Sequence, residues 1–311
     1  LTIKGNRENL RLLLSANASL PLLYFTDNNK PSPMTAPNFC MLLRKHIANG
    51  RILSVTQPGF ERIVRFEIEH LDELGDLRRK YLVVELMGKH SNIIFCDENN
   101  RILDSIKHIS AQISSVREVL PGRDWFIPHA GEKKDPLTVS AEDFKALISP
   151  TPQPLQKALY MGLTGLSPVT AAEICHLASL DGDISANSFS EAELTHLFHA
   201  FSWVMEDIRE GHFSPNIVYQ GEKPVEFSSI PLTMLEGDSF RRVEYSSVSE
   251  LLERYYSEKN TVSRIHQKSV DLRKIVSNAL ERTSRKLDLQ RKQLKDTEKR
   301  EKFRIYGELL N

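Results

Sequence analysis

Cysteine is scarce in this chain. The three present, Cys40, Cys96 and Cys175, are odd in number and far apart in a sequence of 311 residues. That spacing supports neither a disulfide framework nor a CxxC zinc site, and a reducing cytoplasm is the simplest compartment for it. Long apolar runs are also missing. None approaches the roughly 18 residues of a membrane span, so no membrane partner is expected. The opening LTIKGNRENLRLLL lacks the basic start, long apolar core and small-residue cleavage site of a signal peptide. It begins with Leu1 rather than Met, so the natural N-terminus is expected to lie upstream. The ten histidines are scattered, and no nucleophile triad, metal-ligand cluster or Gly-rich phosphate loop stands out. Neither catalysis nor a metal or cofactor is expected.

The most distinctive stretch is Tyr81 to Ile109. Three apolar runs, Leu82 to Met87, Ile93 to Cys96 and Ile102 to Ile106, are each too short for a helix and rich in Val, Ile and Leu. Two polar breaks separate them, which predicts a β-meander. The first break, Gly88-Lys89-His90-Ser91-Asn92, puts Lys89 and His90 at the tip of a rigid sheet, where binding residues are commonly presented.

Upstream, LRLLLSAN and LLYFT read as strands. Phe39, Leu42, Leu43 and Ile47 then mark a helical stripe ending near Gly50. Arg44, Lys45 and His46 cluster near its C-terminus, where cations either complement the helix dipole or bind a ligand. Arg51 to Thr56 and Glu61 to Glu69 read as two strands about a Pro58-Gly59 turn. In the second, Val64, Phe66 and Ile68 share one face, and parity puts Arg62 on that core-facing side. An arginine there is either paired internally or directed into a cleft, because a buried unpaired guanidinium is costly.

After a polar, Gly- and Pro-containing stretch at His129 to Pro136 the pattern turns helical. Helices are expected from Ser140, Pro154 and Ser167-Pro168, and a fourth from a Ser190/Glu193 capping box to about Arg209. Gly162, Thr164 and Gly165 lie in a short hairpin that is either a plain helix–helix turn or, through free amides at the next helix start, a binder of a phosphate backbone. NIVYQ, KPVEFSS and SFRRVEYSS read as late strands. From a Ser247/Glu250 capping box onward there is no Pro and one Gly, at 307, so a single helix of about 60 residues is expected. Leu280, Leu287 and Leu294 repeat every seven residues, with Ile265, Leu272 and Val276 upstream, a weak seam like one arm of a coiled coil. The C-terminus is expected to be truncated as well.

Net charge is zero, with 41 basic and 41 acidic residues, but the spread is uneven. Residues 261–311 carry 14 Lys and Arg against 7 Asp and Glu, which leaves 27 against 34 in the first 260. Such a basic segment serves nucleic-acid binding or is a solvated helix face. The fold class expected is α+β: a β-rich domain over 1–130, a helical domain over 131–212, strands returning to the β domain over 213–246, and a long helix over 247–311.

Several segments together resemble a known family. Phe39 to His46, Glu85 to Asn92, Asp104-Ser105-Ile106-Lys107 and Leu120-Pro121-Gly122 are similar, in order, to the N-terminal part of the NFACT family. The resemblance covers essentially the whole chain. It implies an antiparallel β-rich domain like the N-terminal domain of formamidopyrimidine-DNA glycosylases, a helix-hairpin-helix domain and one coiled-coil arm. It also implies a role in ribosome-associated quality control: binding a large ribosomal subunit obstructed by peptidyl-tRNA and recruiting alanyl-tRNA for untemplated alanine tails. In the family an Asp-Arg pair after the basic helix contacts tRNA. Glu61-Arg62 stands there in this chain, the acid being one methylene longer, and this favours the cleft reading of Arg62. Lys89 and His90 match a family motif. Arg44 and Lys45, on the basic helix, complete the expected tRNA-binding set. Two rivals follow from the same likeness: a surface adhesin that binds fibronectin, and a DNA-binding glycosylase-like protein. The latter needs an N-terminal proline and a Cys-rich zinc finger, neither of which is seen.

Overall fold

The computed structural model describes all residues except 6–7, 30–31, 129–132, 238 and 311, together with the side chains of residues 258–271 and 298 within the last helix. The chain divides into two units, Leu1–Glu253 and Arg254–Asn311. The boundary expected at His129 to Pro136 falls partly outside the described residues.

In the first unit, β1 (Thr2–Lys4), β2 (Asn9–Ala16) and β3 (Pro21–Phe25) pair antiparallel in that order. Then come α1 (Asn38–Ile47) and an antiparallel sheet of β4 (Arg51–Thr56), β5 (Ile63–Leu71), β6 (Leu77–Glu85), β7 (Asn92–Asp97) and β8 (Ile102–Ser105) in sequence order. The expected meander is β6-β7-β8, with Glu85 opposite Asn92 and Ile94 opposite Ser105.

Both faces of this sheet are covered. On one, Phe66, Ile68, Leu82, Val84 and Phe95 pack with Leu12 and Ala16 of β2 and with Phe39, Leu42, Leu43 and Ile47 of α1, the stripe read from the sequence. On the other, Ile63, Val83, Ile94, Cys96 and Ile102 pack with Val119 and Trp125. Each large aliphatic side chain buried this way contributes about 1.5–3 kcal/mol. Because both faces are buried, the alternation in β5 does not separate core from solvent.

The helical stretch comprises α2 (Ala141–Ile148), α3 (Leu155–Gly162), α4 (Pro168–Leu177) and α5 (Glu191–Glu210). Its starts follow the sequence. Ser140 and Ser167 accept from the Asp143 and Thr170 amides at 3.1 and 3.0 Å, and Ser190 with Glu193 forms the full capping box. The helices close around Phe144, Leu159, Ile174, Leu197 and Phe201, with the Phe144 and Phe201 rings 4.9 Å apart.

The late strands β9 (Asn216–Gln220), β10 (Lys223–Ser228) and β11 (Arg241–Glu244) form a sheet of their own, in the order β10-β9-β11. Among the described residues they add no hydrogen-bonded strand to the five-stranded sheet. A buried carboxylate attaches them to the helices: Glu173 of α4 accepts from the amides of Thr233 and Met234, both at 3.0 Å. Within the segment itself, Asn216 Nδ2 donates to the carbonyls of Ser214 and Ile230, both at 2.7 Å.

The last helix, α6 (Val248–Leu309), has 62 residues. Its cap differs in detail from the expected box: the Glu250 amide donates to Ser247 Oγ at 3.1 Å, but the Glu250 carboxylate accepts from Ser246. The helix start is held to β3, where the Phe25 amide donates to Ser249 Oγ at 3.0 Å. In the second unit Leu272, Val276, Leu280, Leu287 and Leu294 are exposed. Ile265 lies outside the described side chains.

Candidate nucleic-acid interface

The β4–β5 connection is a tight turn. Gly59 adopts φ +53°, the Glu61 amide donates to the Pro58 carbonyl at 3.1 Å, and Gln57 Nε2 donates to the Glu61 carbonyl at 2.7 Å. Phe60 points away from the sheet and packs against the helical core. With Phe60 drawn inward, the chain bends at Arg62 before β5 begins, so strand parity does not extend to that residue. Arg62 is exposed rather than core-facing, and its guanidinium has no hydrogen-bond or ion-pair partner among the described residues. Glu61 beside it is half-buried.

Arg62 and the turn after β6 leave the same end of the sheet. Ile63 lies opposite Glu85, and the Leu86 amide donates to the Arg62 carbonyl at 2.9 Å. Gly88, at φ +58°, opens a single 3-10 turn, Gly88–His90, and the family-like motif there divides by task. Ser91 and Asn92 are buried and build the turn. Ser91 Oγ accepts from the Met87 amide at 2.8 Å, and Asn92 Oδ1 accepts from the amides of Ile93 and Lys107 at 2.9 and 3.0 Å. The Lys107 amine closes it by donating to the Ser91 carbonyl at 2.8 Å. The His90 amide donates to the Met87 carbonyl at 3.1 Å, while Lys89 and His90 are themselves exposed and their side chains take no part in these bonds.

The other cations sit elsewhere. Lys45 pairs with Glu73 at 2.9 Å, beyond the far end of β5, and that partner holds the Glu73 carboxyl below its usual range. Arg44 is exposed, with Nη1 3.9 Å from Met41 Sδ. His46 lies 6.2 Å from His70, ring centre to ring centre. From Ile63 to His70 is about 23 Å at 3.3 Å per residue. The segments Glu61-Arg62 and Lys89-His90 thus leave the same end of the sheet, and the basic helix end with Arg44 and Lys45 lies toward the other.

The helical hairpin approaches the first group from the side, but as a bracket. A Cβ on Gly165, whose φ is +75°, would stand 2.2 Å from the Phe60 carbonyl oxygen, and one on Gly162 would meet Leu147 at 2.7 Å. The Thr164 amide donates to the Lys134 carbonyl at 2.9 Å. Packing thus calls for glycine at 162 and 165, and main-chain pairing uses the Thr164 amide.

Sequence reasoning missed the support beneath the turn. Glu85, fully buried, accepts from Arg117 and, at 2.9 Å, from Trp125 Nε1. The available signal was a carboxylate ending the apolar run Leu82-Val83-Val84. Among the described residues no cluster of His, Cys, Asp and Glu could hold a metal, and no helix is long and apolar enough to cross a membrane.

The chain is similar to proteins of several bacteria. It is 36% identical to the Rqc2 homolog RqcH of Bacillus subtilis (strain 168) over 309 residues, covering 99% of this chain and 52% of that protein. It is 30% identical to the Rqc2 homolog RqcH of Streptococcus suis (strain 05ZYH33) over 311 residues, covering 100% and 51%. It spans about half the length of these curated relatives. In structure it resembles the fibrinogen binding protein of Staphylococcus aureus, with a TM-score of 0.68 and 28% identity over 82% of this chain and 86% of that one. The N-terminal part of the fibronectin/fibrinogen-binding protein of Streptococcus suis gives a TM-score of 0.64 with the same identity and coverage. The match to NFACT N-terminal and middle domains runs over residues 1–311, and the chain belongs to that family.

Proposed function

We propose that this chain is the tRNA-binding half of a cytoplasmic ribosome-associated quality-control factor. On this reading it holds alanyl-tRNA at a large ribosomal subunit obstructed by peptidyl-tRNA, so that alanine is added without a template. The observation that carries the reading is the grouping of an unpaired, exposed Arg62 with Lys89 and His90 at one rigid sheet end. Three donors without side-chain partners among the described residues suit phosphate oxygens and the edges or faces of unstacked bases. The relatives named Rqc2 homolog RqcH supply the cellular setting.

The chemistry is positioning. Arg62 offers a planar fork of donors that Lys cannot replace, and Glu61 beside it can accept from a base or ribose. Bond formation is left to the ribosome, so no side chain here is assigned a catalytic role.

The experiment is electrophoretic retention of total tRNA by the protein at two salt concentrations, with sequencing of what is retained. Salt-sensitive retention enriched in alanine tRNA supports the reading. Retention that is absent in both the chain and the full-length protein contradicts it. Cell fractionation tests the adhesin reading that the names of the structural relatives raise: the protein is expected with ribosomes, not on the cell surface.

A further inference from the structure

Glu85 ends β6 at the base of the basic turn, and its side chain is fully buried with Leu82, Val83 and Val84. A carboxylate in such surroundings is costly unless every lone pair is used. One oxygen accepts from Arg117 Nη2, the other from Trp125 Nε1 at 2.9 Å, and Arg117 Nη1 also donates to the Phe126 carbonyl at 2.6 Å. The Arg117 side chain is 9% exposed.

Stability is a poor reason for this arrangement, because buried ion pairs are often replaced by apolar residues of similar volume at no loss. Its geometry supplies a better one. Glu85 lies opposite Ile63 on one side and Asn92 on the other, and the next amide, Leu86, holds the Arg62 carbonyl at 2.9 Å. The main chain that carries Arg62 and the main chain that carries Lys89 and His90 therefore meet at Glu85, whose carboxylate is held at both oxygens. Directional hydrogen bonds admit one setting of that residue, where apolar packing admits several.

We infer that Glu85, Arg117 and Trp125 are positioning residues for RNA recognition: together they set the Arg62 backbone and the Gly88–His90 turn in the register that presents Arg62, Lys89 and His90 to one stretch of phosphate backbone. The inference rests on the tRNA-binding reading above.

The test compares the parent protein with Glu85→Leu/Arg117→Met, with Arg62→Ala, and with the three changes combined, measuring tRNA affinity across a salt series alongside the melting temperature. The double variant leaves the Trp125 Nε1 donor unmatched, so it is expected to stay folded with a melting temperature a few degrees below the parent and to bind tRNA about tenfold more weakly, with a shallower salt dependence, as for loss of one phosphate contact. Combined with Arg62→Ala its loss is smaller than in the parent, because the contact that Arg62 makes is already gone and only the positioning of Lys89 and His90 is left to lose. A merely structural role gives losses that add. Additive losses, or a folded double variant that binds like the parent, overturn the inference. Trp125→Phe removes one donor and leaves the ion pair; it is expected to show the same non-additivity at smaller amplitude, and it decides the question if the double variant does not fold. Arg62→Ala binding like the parent overturns the underlying reading instead.

Discussion

Gly165 of the helical hairpin lies against the backbone of Phe60, so close that a Cβ there would stand 2.2 Å from the Phe60 carbonyl oxygen. The contact joins the helices to the turn that carries Glu61 and Arg62, and it requires glycine twice over, by space and by a φ of +75°. Gly165→Ala is expected to destabilise by about 2–4 kcal/mol, combining left-handed strain with backbone overlap. Gly88 has a similar φ of +58° but open space around it, so Gly88→Ala is expected to cost only about 1 kcal/mol. Urea denaturation of the two variants measures the difference; equal losses contradict the account.

Glu173 anchors the segment before β11. Its carboxylate, 1% exposed, accepts from both amides and the hydroxyl of Thr233-Met234. Glu173→Ala leaves those half-buried donors unmatched, at a cost of about 1 kcal/mol. Hydrogen exchange is expected to speed up at the Thr233 and Met234 amides ahead of the β6-β7 amides. Uniform acceleration across the unit contradicts a local anchor.

Burial pushes the Cys96 and Cys175 thiols up to about 12, while Cys40 is only half-buried. At pH 8 in the native state a thiol reagent is expected to label Cys40 alone, and all three after denaturation. Rapid native labelling of Cys96 would show that the five-stranded sheet opens readily.

His46 titrates below the ordinary histidine range, through burial first and then through Lys80, Lys45 and His70, against a smaller pull from Glu73. As pH falls below about 6.5 the unfolded chain takes up this proton before the folded one does. The stability His46 contributes is therefore present above that pH and lost as pH falls through its folded value. His46→Gln is expected to flatten the acid side of the melting-temperature profile, and superimposable profiles contradict the assignment.

Much of this was legible from local pattern. The spacing of Phe39, Leu42, Leu43 and Ile47 fixed both the helix and the face it buries, and the polar breaks around β7 fixed the meander. Arg62 was misread because the chain bends before β5, a consequence of Phe60 packing into a core more than seventy residues downstream. The Glu85 network was illegible for the same reason: its partners lie 32 and 40 residues away, and no periodicity links them. Local spacing announces elements, whereas the site depends on contacts between them.

On the proposed function Arg62 is held for a ligand and not for the fold. The most direct measurement is tRNA affinity and melting temperature on the same preparations of the parent and Arg62→Ala. Because Arg62 is exposed and unpaired, the account predicts a stability change within about 0.5 kcal/mol together with a roughly tenfold or greater loss of binding. Undiminished binding, or a variant that no longer folds, contradicts it.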